Sequence, residues 1–411
     1  MSFINLFAPA VSALRGNSQA FQVIGENISN AVTPGFKAAD TRFQEVLAST
    51  AESDFETLGG IRPVVQHFID KQGLLTSTQN ALDLAINGQG FLISNTQLDE
   101  NGEYQLTRAG QFSITNVANN GVDEAYLTDL AGNFALGWTA DSAGNFTTAN
   151  TVATLDPLRV DPGAVVFLPV ATTNASLNAI LPSGAATGDA VTAPITVIDA
   201  AGAEHSLSIQ FTKAAAPNTW NLAASVSGGS VTSGGTATMT FDAAGNITSP
   251  LTQSIGLNFG AGGATTVALD FTAMRQFGAP FNVLGVTDDG IPAGTLQDVF
   301  FDEDGILSGN FSNGRTRALY KVPLATVTNP NGLSLRSNTH FAVSDTSGAL
   351  ELREADLTGI GSFAPSSLEQ STTDLGLEFT KLVVVQQGYT TAVQAYTVVE
   401  EMLRTAADLK Q

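Results

Sequence analysis

The sequence contains no cysteine in 411 residues. That absence removes disulfides, thiolate nucleophiles and cysteine-based metal sites in one step. Charge is scarce as well: 13% of residues are Asp, Glu, Lys or Arg, divided into 38 acids and 17 bases for a net charge of −21. So acidic a chain has no positive footprint with which to release counterions from nucleic acid or to meet anionic lipid, and neither partner is expected. No run of about 18 apolar residues occurs, so no membrane-spanning helix is expected. The opening, MSFINLFAPAVSALRG, lacks a basic stretch followed by an unbroken apolar core, because Asn5 and Pro9 interrupt it, and no signal peptide is expected.

What remains is a chain made to fold. Hydrophobic residues reach 43%, which excludes wholesale disorder, and the length suits two to three domains. With 40 glycines and so few charges, the surface must consist largely of Ala, Ser, Thr, Asn and Gln. Such surfaces suit self-packing.

Two stretches carry a helical period. From about residue 9 to 30, Phe7, Ala10, Leu14, Phe21, Ile24 and Ile28 recur at alternating spacings of three and four with Asn17 as a polar interruption, the pattern of a coiled-coil seam. Pro9 suits a first helical turn, and Thr33-Pro34-Gly35 prevents continuation. At the other end, Asp374 is a plausible N-cap, after which Leu375, Leu382, Tyr389, Tyr396 and Leu403 fall seven apart. Val385, Ala392, Val399 and Ala406 follow four of them at a spacing of three. Val, Thr and Tyr favour strands, but a period sustained over about four heptads outweighs that weak preference. These helices, with small residues around the seam and no dense Glu/Lys flanks, favour assembly over an isolated monomer.

Everything between reads as β: short apolar runs such as 91–94, 195–198, 207–211 and 237–241 are bounded by Gly, Asn and Asp. One turn recurs, at Asp129, Asp141, Asp199, Asp242 and Asp302, each followed three residues later by Gly. An Asp that caps its own turn, ahead of a Gly at positive φ, makes a tight hairpin connection. Composition shifts near residue 150 and back near 272: the stretch between is rich in Ala, Gly, Ser and Thr, and its only bases are Arg159 and Lys213. The expected fold is therefore mixed and mainly β, with nested β domains inserted between N- and C-terminal coiled-coil-like helices. An axial helical domain is assigned to 1–35 and 372–411, irregular connectors to 36–75 and 359–371, an inner β domain to 76–149 and 272–358, and an inserted outer β domain to 150–271.

No stretch carries a recognisable chemistry. Asn87-Gly-Gln-Gly-Phe91 lacks the third glycine and the following helix of a dinucleotide fingerprint. Asp302-Glu-Asp-Gly305 lacks the first acid and the closing glutamate of a calcium loop. His67, His205 and His340 stand in no nucleophile or zinc spacing. No catalytic residue, cofactor or metal is assigned, and an enzyme is not expected.

The stretch GENISNAVTPGFK, residues 25–37, resembles the segment near the start of the bacterial flagellar axial proteins, the rod, hook and hook-associated group. The closing LVVVQQGYTTAVQAYTVVEEML, residues 382–403, is similar to the matching C-terminal helix of that family, with its core at Gln386 and Tyr389. Residues 81–92, 106–112 and 300–314 resemble the inner β domain of the hook members. The motif residues carried over are Asn27, Ile28, Asn30, Thr33, Pro34, Gly35, Phe36 and Lys37. Two departures stand out: Glu26-Asn27 replaces the usual Asn pair, and Gln387-Gly388 replaces the common Arg-Asn, where glycine should weaken the helix by about 1 kcal/mol.

The resemblance implies a structural subunit of the flagellar hook, polymerising into a flexible curved tube that transmits torque from rod to filament. It implies an axial-helix assembly interface of Phe7, Leu14, Phe21, Ile24, Ile28, Leu382, Val385, Tyr389, Tyr396, Val399 and Leu403. Implied partners are the chain itself, the rod and hook–filament junction proteins, the flagellar export apparatus and the hook cap, without membrane insertion. The implied location is extracellular, in the hook of the basal body, after export without a cleaved signal. A distal rod or hook-associated protein, an extracellular β-rich adhesin and an acidic secreted hydrolase remain as alternatives.

Overall fold

The computed structural model describes residues 4–48, 57–99, 101–119, 121–141, 144–355 and 361–408. The parts of the expected helical and connector segments at 1–3, 49–56, 359–360 and 409–411, and the side chains of Ala406 and Ala407, lie outside the described residues.

Two long helices form where the periods place them: α1 (Ile4–Ser29) and α2 (Leu375–Asp408). Pro9 sits inside α1 rather than in its first turn. A proline costs a helix one backbone hydrogen bond and a clash with the carbonyl four residues back, yet the helix continues upstream of it to Ile4, and Ser12 Oγ donates to Pro9 O at 2.8 Å. At the start of α2 the Asp374 carboxylate accepts from Gly376 N at 2.9 Å and Leu377 N at 3.2 Å, the expected N-cap.

The connectors are not irregular. Strands β1 (Ala39–Ala48) and β2 (Thr57–His67) pair antiparallel, Ala39 opposite His67. Glycines at 59 and 60 and Pro63 hide a strand from propensity reasoning, but the hairpin gains a surface to lie on. Ile61 N donates to Ser12 Oγ at 3.2 Å, and a Cβ at Gly16 would come within 3.0 Å of the Phe43 ring. The second connector is strand too: Gly361–Pro365 pairs with Leu84–Gly88, and Ser367–Glu369 with Leu75–Ser77.

The chain divides into two compact units. The first comprises Met1–Val160, Val299–Gly309 and Arg317–Gln411; its β core gathers Phe91, Ile93, Leu106, Trp138 and Phe341. The second comprises Asp161–Asp298 and Asn310–Thr316. Its limits differ from the compositional ones at 150 and 271 because pairing, not composition, sets them. Asp156 pairs with Gly137 and stays with the first unit, while Asn282–Asp288 runs along Asn174–Pro182 and belongs to the second.

The second unit is two sheets sharing one core. A five-stranded antiparallel sheet runs in the order 190–198, 204–213, 219–226, 236–241, 247–249. Its alternate residues Ile195, Leu207, Ile209, Phe211, Trp220 and Met239 meet Leu177, Ile255, Leu257, Val267 and Leu269 of the six-stranded sheet, the hydrophobic-in, polar-out alternation of a sandwich. Pro194 interrupts one edge strand, and Leu284 is the unpaired residue of a bulge in another. Both devices blunt edge-to-edge pairing.

The five Asp turns have the expected geometry. Asp242 Oδ1 accepts from Ala244 N and Asn246 N, both at 2.8 Å, with Gly245 at φ 84°; Asp129, Asp199 and Asp302 repeat the pattern. The Asp141 turn keeps the bond from Asn145 N at 2.8 Å. Two of the histidines serve such turns: His340 Nε2 reaches Asp129 at 2.7 Å, and His205 Nε2 reaches Asp199 at 2.9 Å.

A further carboxylate ties two distant segments of the second unit together. Asp289 accepts from Thr173 N, Thr173 Oγ1, Asn174 N and Asn174 Nδ2 at 2.7–2.9 Å. Partial burial opposes its ionisation, but these four donors outweigh it and hold the carboxyl well below the usual range. A depressed folded-state pKa stabilises above the unfolded value and loses that stabilisation as pH falls below about 4. Because the carboxylate stays open to water, Asp289→Asn is expected to cost only about 1–2 kcal/mol at neutral pH. Denaturant titrations of both proteins between neutrality and pH 3 should converge as the pH falls; parallel curves would refute the assignment.

Candidate assembly interface and its anchor

The helices at opposite ends of the chain lie side by side in the first unit. Phe7 packs on Tyr396 with ring centroids 5.1 Å apart, and Phe21 meets Tyr389 edge-on at 6.3 Å. Rising numbers on α1 meet falling numbers on α2, so the pair is antiparallel. Ile24 and Ala392 are buried, Phe7, Leu14, Phe21, Ile28, Leu382, Val385, Val399 and Leu403 are half-buried, and Tyr389 and Tyr396 keep one edge in solvent. The series expected to form an assembly seam is thus joined first within one chain. Gly388 has a specific use there: a Cβ at that position would stand 3.2 Å from Asn17 Oδ1, so the glycine admits the polar interruption of the partner helix.

The two helices differ in how well they are covered. β1 and β2 lie along one side of α1 and α2 along another, leaving a narrow polar strip of Arg15, Ser18, Gln22 and Glu26 exposed. On α2, by contrast, Leu375, Leu377, Phe379, Val383, Val384, Val398 and Met402 are all exposed. A helix apolar over most of its circumference calls for more than one neighbour.

The motif residues after α1 form an anchor. The Asn27 side chain donates to Ala39 O at 2.7 Å and accepts from Ala39 N at 3.0 Å, so a buried amide takes the place of a strand partner. Asn30 accepts from Thr33 Oγ1 at 3.2 Å and donates to Glu26 O at 2.9 Å, folding the Thr33-Pro34 turn back on the helix end. Gly35 holds φ 72° and its N donates to Glu369 O at 2.7 Å; a Cβ there would fall 2.4 Å from Ala109 N. Phe36 is buried, and its carbonyl accepts from Thr372 N at 3.1 Å. Both chain ends are stitched together here.

At the centre lies a cluster of three charges. Lys37 Nζ reaches Glu369 Oε1 and the Lys71 carbonyl, Arg108 Nη1 reaches Glu369 Oε2 at 3.0 Å, and Gly73 N donates to Glu369 Oε1 at 2.7 Å. Arg108 also donates to Gly88 O at 2.8 Å and lies over the Phe91 ring. All three side chains are 4% exposed or less. Lys37 belongs to the motif read in the sequence and Arg108 to the resemblance at 106–112. Glu369 was missed, since a lone acid before a helix is indistinguishable from a solvated one, and only Lys37 hinted that a buried anion must exist.

Two cations face one carboxylate, so the three positions should respond unequally. Glu369→Gln leaves two buried cations unpaired and is expected to cost about 3–5 kcal/mol, whereas Lys37→Met leaves a balanced Arg108–Glu369 pair and should cost about 1–2 kcal/mol. Burial pushes Lys37 below its usual range; Glu369 opposes this and Arg108 adds to it. The unfolded chain therefore binds the proton more tightly, and stability should rise as pH is raised toward 10.5. Lys37→Met should remove that rise. Equal losses in the two variants, measured by denaturant unfolding, would contradict the cluster's charge balance.

Comparison with known proteins bears on the same segments. Residues 168–291 match the model described as flagellar basal body protein FlaE D2 domain, and 364–409 the one described as flagellar basal body rod FlgEFG protein C-terminal. The flagellar hook protein FlgE of Rhizobium meliloti strain 1021 is 29% identical over 420 residues, covering 100% of both chains. That of Escherichia coli K12 is 28% identical over 412 residues, covering 98% of this chain and 100% of its own. The crystal structure of Helicobacter pylori flagellar hook protein FlgE2 superposes with a TM-score of 0.45 and 13% identity, over 72% of this chain and 100% of that one. So loose a superposition leaves the architecture to rest on the chain's own strands and helices.

Proposed function

We infer that this chain, matched end to end by flagellar hook proteins and in two segments by flagellar basal-body domains, is a structural subunit of the flagellar hook. Copies of it polymerise into a flexible curved tube that passes torque from rod to filament. The observation that supports polymerisation is the wide apolar surface of α2 left open beside a helix already covered on two sides. The rod, the hook–filament junction, the hook cap and the export apparatus are the further partners this role requires. An adhesin or a secreted hydrolase has no need of an antiparallel helix pair built from both chain ends.

The roles divide between the two units. The helices and the anchor hold the polymer together, and the second unit sets its shape. Its five-stranded sheet presents Thr192, Thr196, Gln210, Asn221 and Thr238 on the outer face, where Glu204, at the start of one strand, is the sole charged strand residue among those described. Small uncharged side chains favour no single register strongly, which suits neighbours that must slide as the tube rotates.

Removing residues 1–32 and 373–411 is expected to leave a soluble β protein that forms no tubes in electron microscopy; tubes from this truncation would refute the role of the helices. Val170 and Ile291 bond to each other through both backbone groups at 2.9 Å, so a two-residue Gly-Ser link can replace 171–290. That deletion should still give tubes, but straight or stiffer ones. Loss of all tubes, or tubes of normal curvature, would overturn the division.

A further inference from the structure

The exposed apolar residues in the first three turns of α2 fall into two sets. Leu375, Phe379 and Val383 recur every four residues and form one row; Leu377 and Val384, seven apart, lie roughly on the opposite side of the helix. The first row is a ridge whose members are each 43–53% exposed. Val384 of the second set lines a groove of about 300 Å³ between α1, β1 and α2. Ala20, Val23 and Ile24 form its floor, Thr41 and Phe43 one wall, and Val384 and Val385 the other. The groove opens directly from the α1–α2 seam, which shares Ile24 and Val385 with it.

We propose that the ridge Leu375–Phe379–Val383 of one copy docks into this groove on a second copy. The proposal rests on the hook reading and names the contact by which its helices assemble. Two physical points single out a second copy as the occupant. Each copy carries a net charge of −21, so copies repel except where the meeting surfaces are neutral. The ridge bears no charge, and among the described residues lining the groove only Asp40 and Lys381 are charged; Lys381 pairs with Asp40 at 3.4 Å and, beside the groove, with the buried Glu378 at 3.0 Å, so no unpaired cation or anion stands in it. The groove is also continuous with an apolar seam, so a ridge seated in it extends one packed core instead of founding another.

Geometry then decides the kind of assembly. Ridge and groove are different surfaces on roughly opposite sides of the same helix, so the contact is heterologous. Each copy offers a ridge to one neighbour and a groove to another, and such a contact, when its rotation does not close, generates an open helical polymer instead of a symmetric dimer.

The absence of cysteine gives a clean test. A full-length double variant, Phe379→Cys with Thr41→Cys, carries one thiol on the ridge and one in the groove. Oxidised in assembled tubes, it is expected to give a ladder of covalent oligomers, while either single variant stays monomeric on a denaturing gel. Covalent dimers from Phe379→Cys alone would mean that ridge meets ridge and would overturn the proposal. Phe379→Asp provides a second readout: the side chain is 53% exposed, so circular dichroism should be unchanged while tube formation is lost. Normal tubes from Phe379→Asp together with no ladder from the double variant would sink the ridge-and-groove contact and leave the hook reading standing. Failure of the unmodified chain to form any tube would instead refute that reading, and the contact with it.

Discussion

A carboxylate buried without solvent must be paired, and that requirement at Glu369 fixes the arrangement of both chain ends. Its oxygens hold Lys37, just after α1, and Arg108, from the β core, while its backbone carbonyl holds Gly35. Glu369 itself lies a few residues before α2. Helices separated by almost the whole sequence thus leave from one base, which lets Phe21 meet Tyr389 and Phe7 meet Tyr396 in register. The entropy of closing so long a loop grows only with the logarithm of its length, so one well-made cluster and a continuous apolar seam suffice. Without the cluster, a helix pair of this length would depend on the seam alone.

From that base follows an unequal covering of the two helices. α1 is enclosed by α2 and by the β1–β2 hairpin, whose close approach depends on Gly16. α2 has one covered side and a large apolar remainder. A chain so built is complete in its β units and incomplete in its helices, the asymmetry that the proposed hook subunit requires. The low charge content has a related effect. Surfaces of Thr, Ser, Asn and Ala can meet without removing ions from water, so contact between copies carries little desolvation penalty.

Legibility in the sequence followed the range of the interaction. The helical periods, the Asp374 cap and the Asp–Gly turns are set within a few residues, and each was readable at its position. The β1–β2 hairpin was not, because its strands are stabilised by lying on α1, and Gly59, Gly60 and Pro63 point locally away from strand. The limits of the second unit differ from the compositional ones for the same reason: Asp156 and Asn282–Asp288 are assigned by their partners across the sheet, not by composition. Gly388 was read as a weak point in α2, yet it is the position that admits Asn17. In the anchor, Asn27 and Lys37 were visible as motif residues but their partners Ala39 and Glu369 were not, since nothing local marks a carboxylate as buried.

In the tube proposed above, each protomer should carry its own α1 and α2 already paired above the Glu369 anchor. Helical reconstruction by electron cryomicroscopy of tubes grown from the unmodified chain tests it most directly. Continuous density is expected from Gly35 and Glu369 into two antiparallel helices of the same chain, with Phe21 against Tyr389. Density in which the two helices of each chain part at the anchor and pair only with those of neighbouring chains would contradict it.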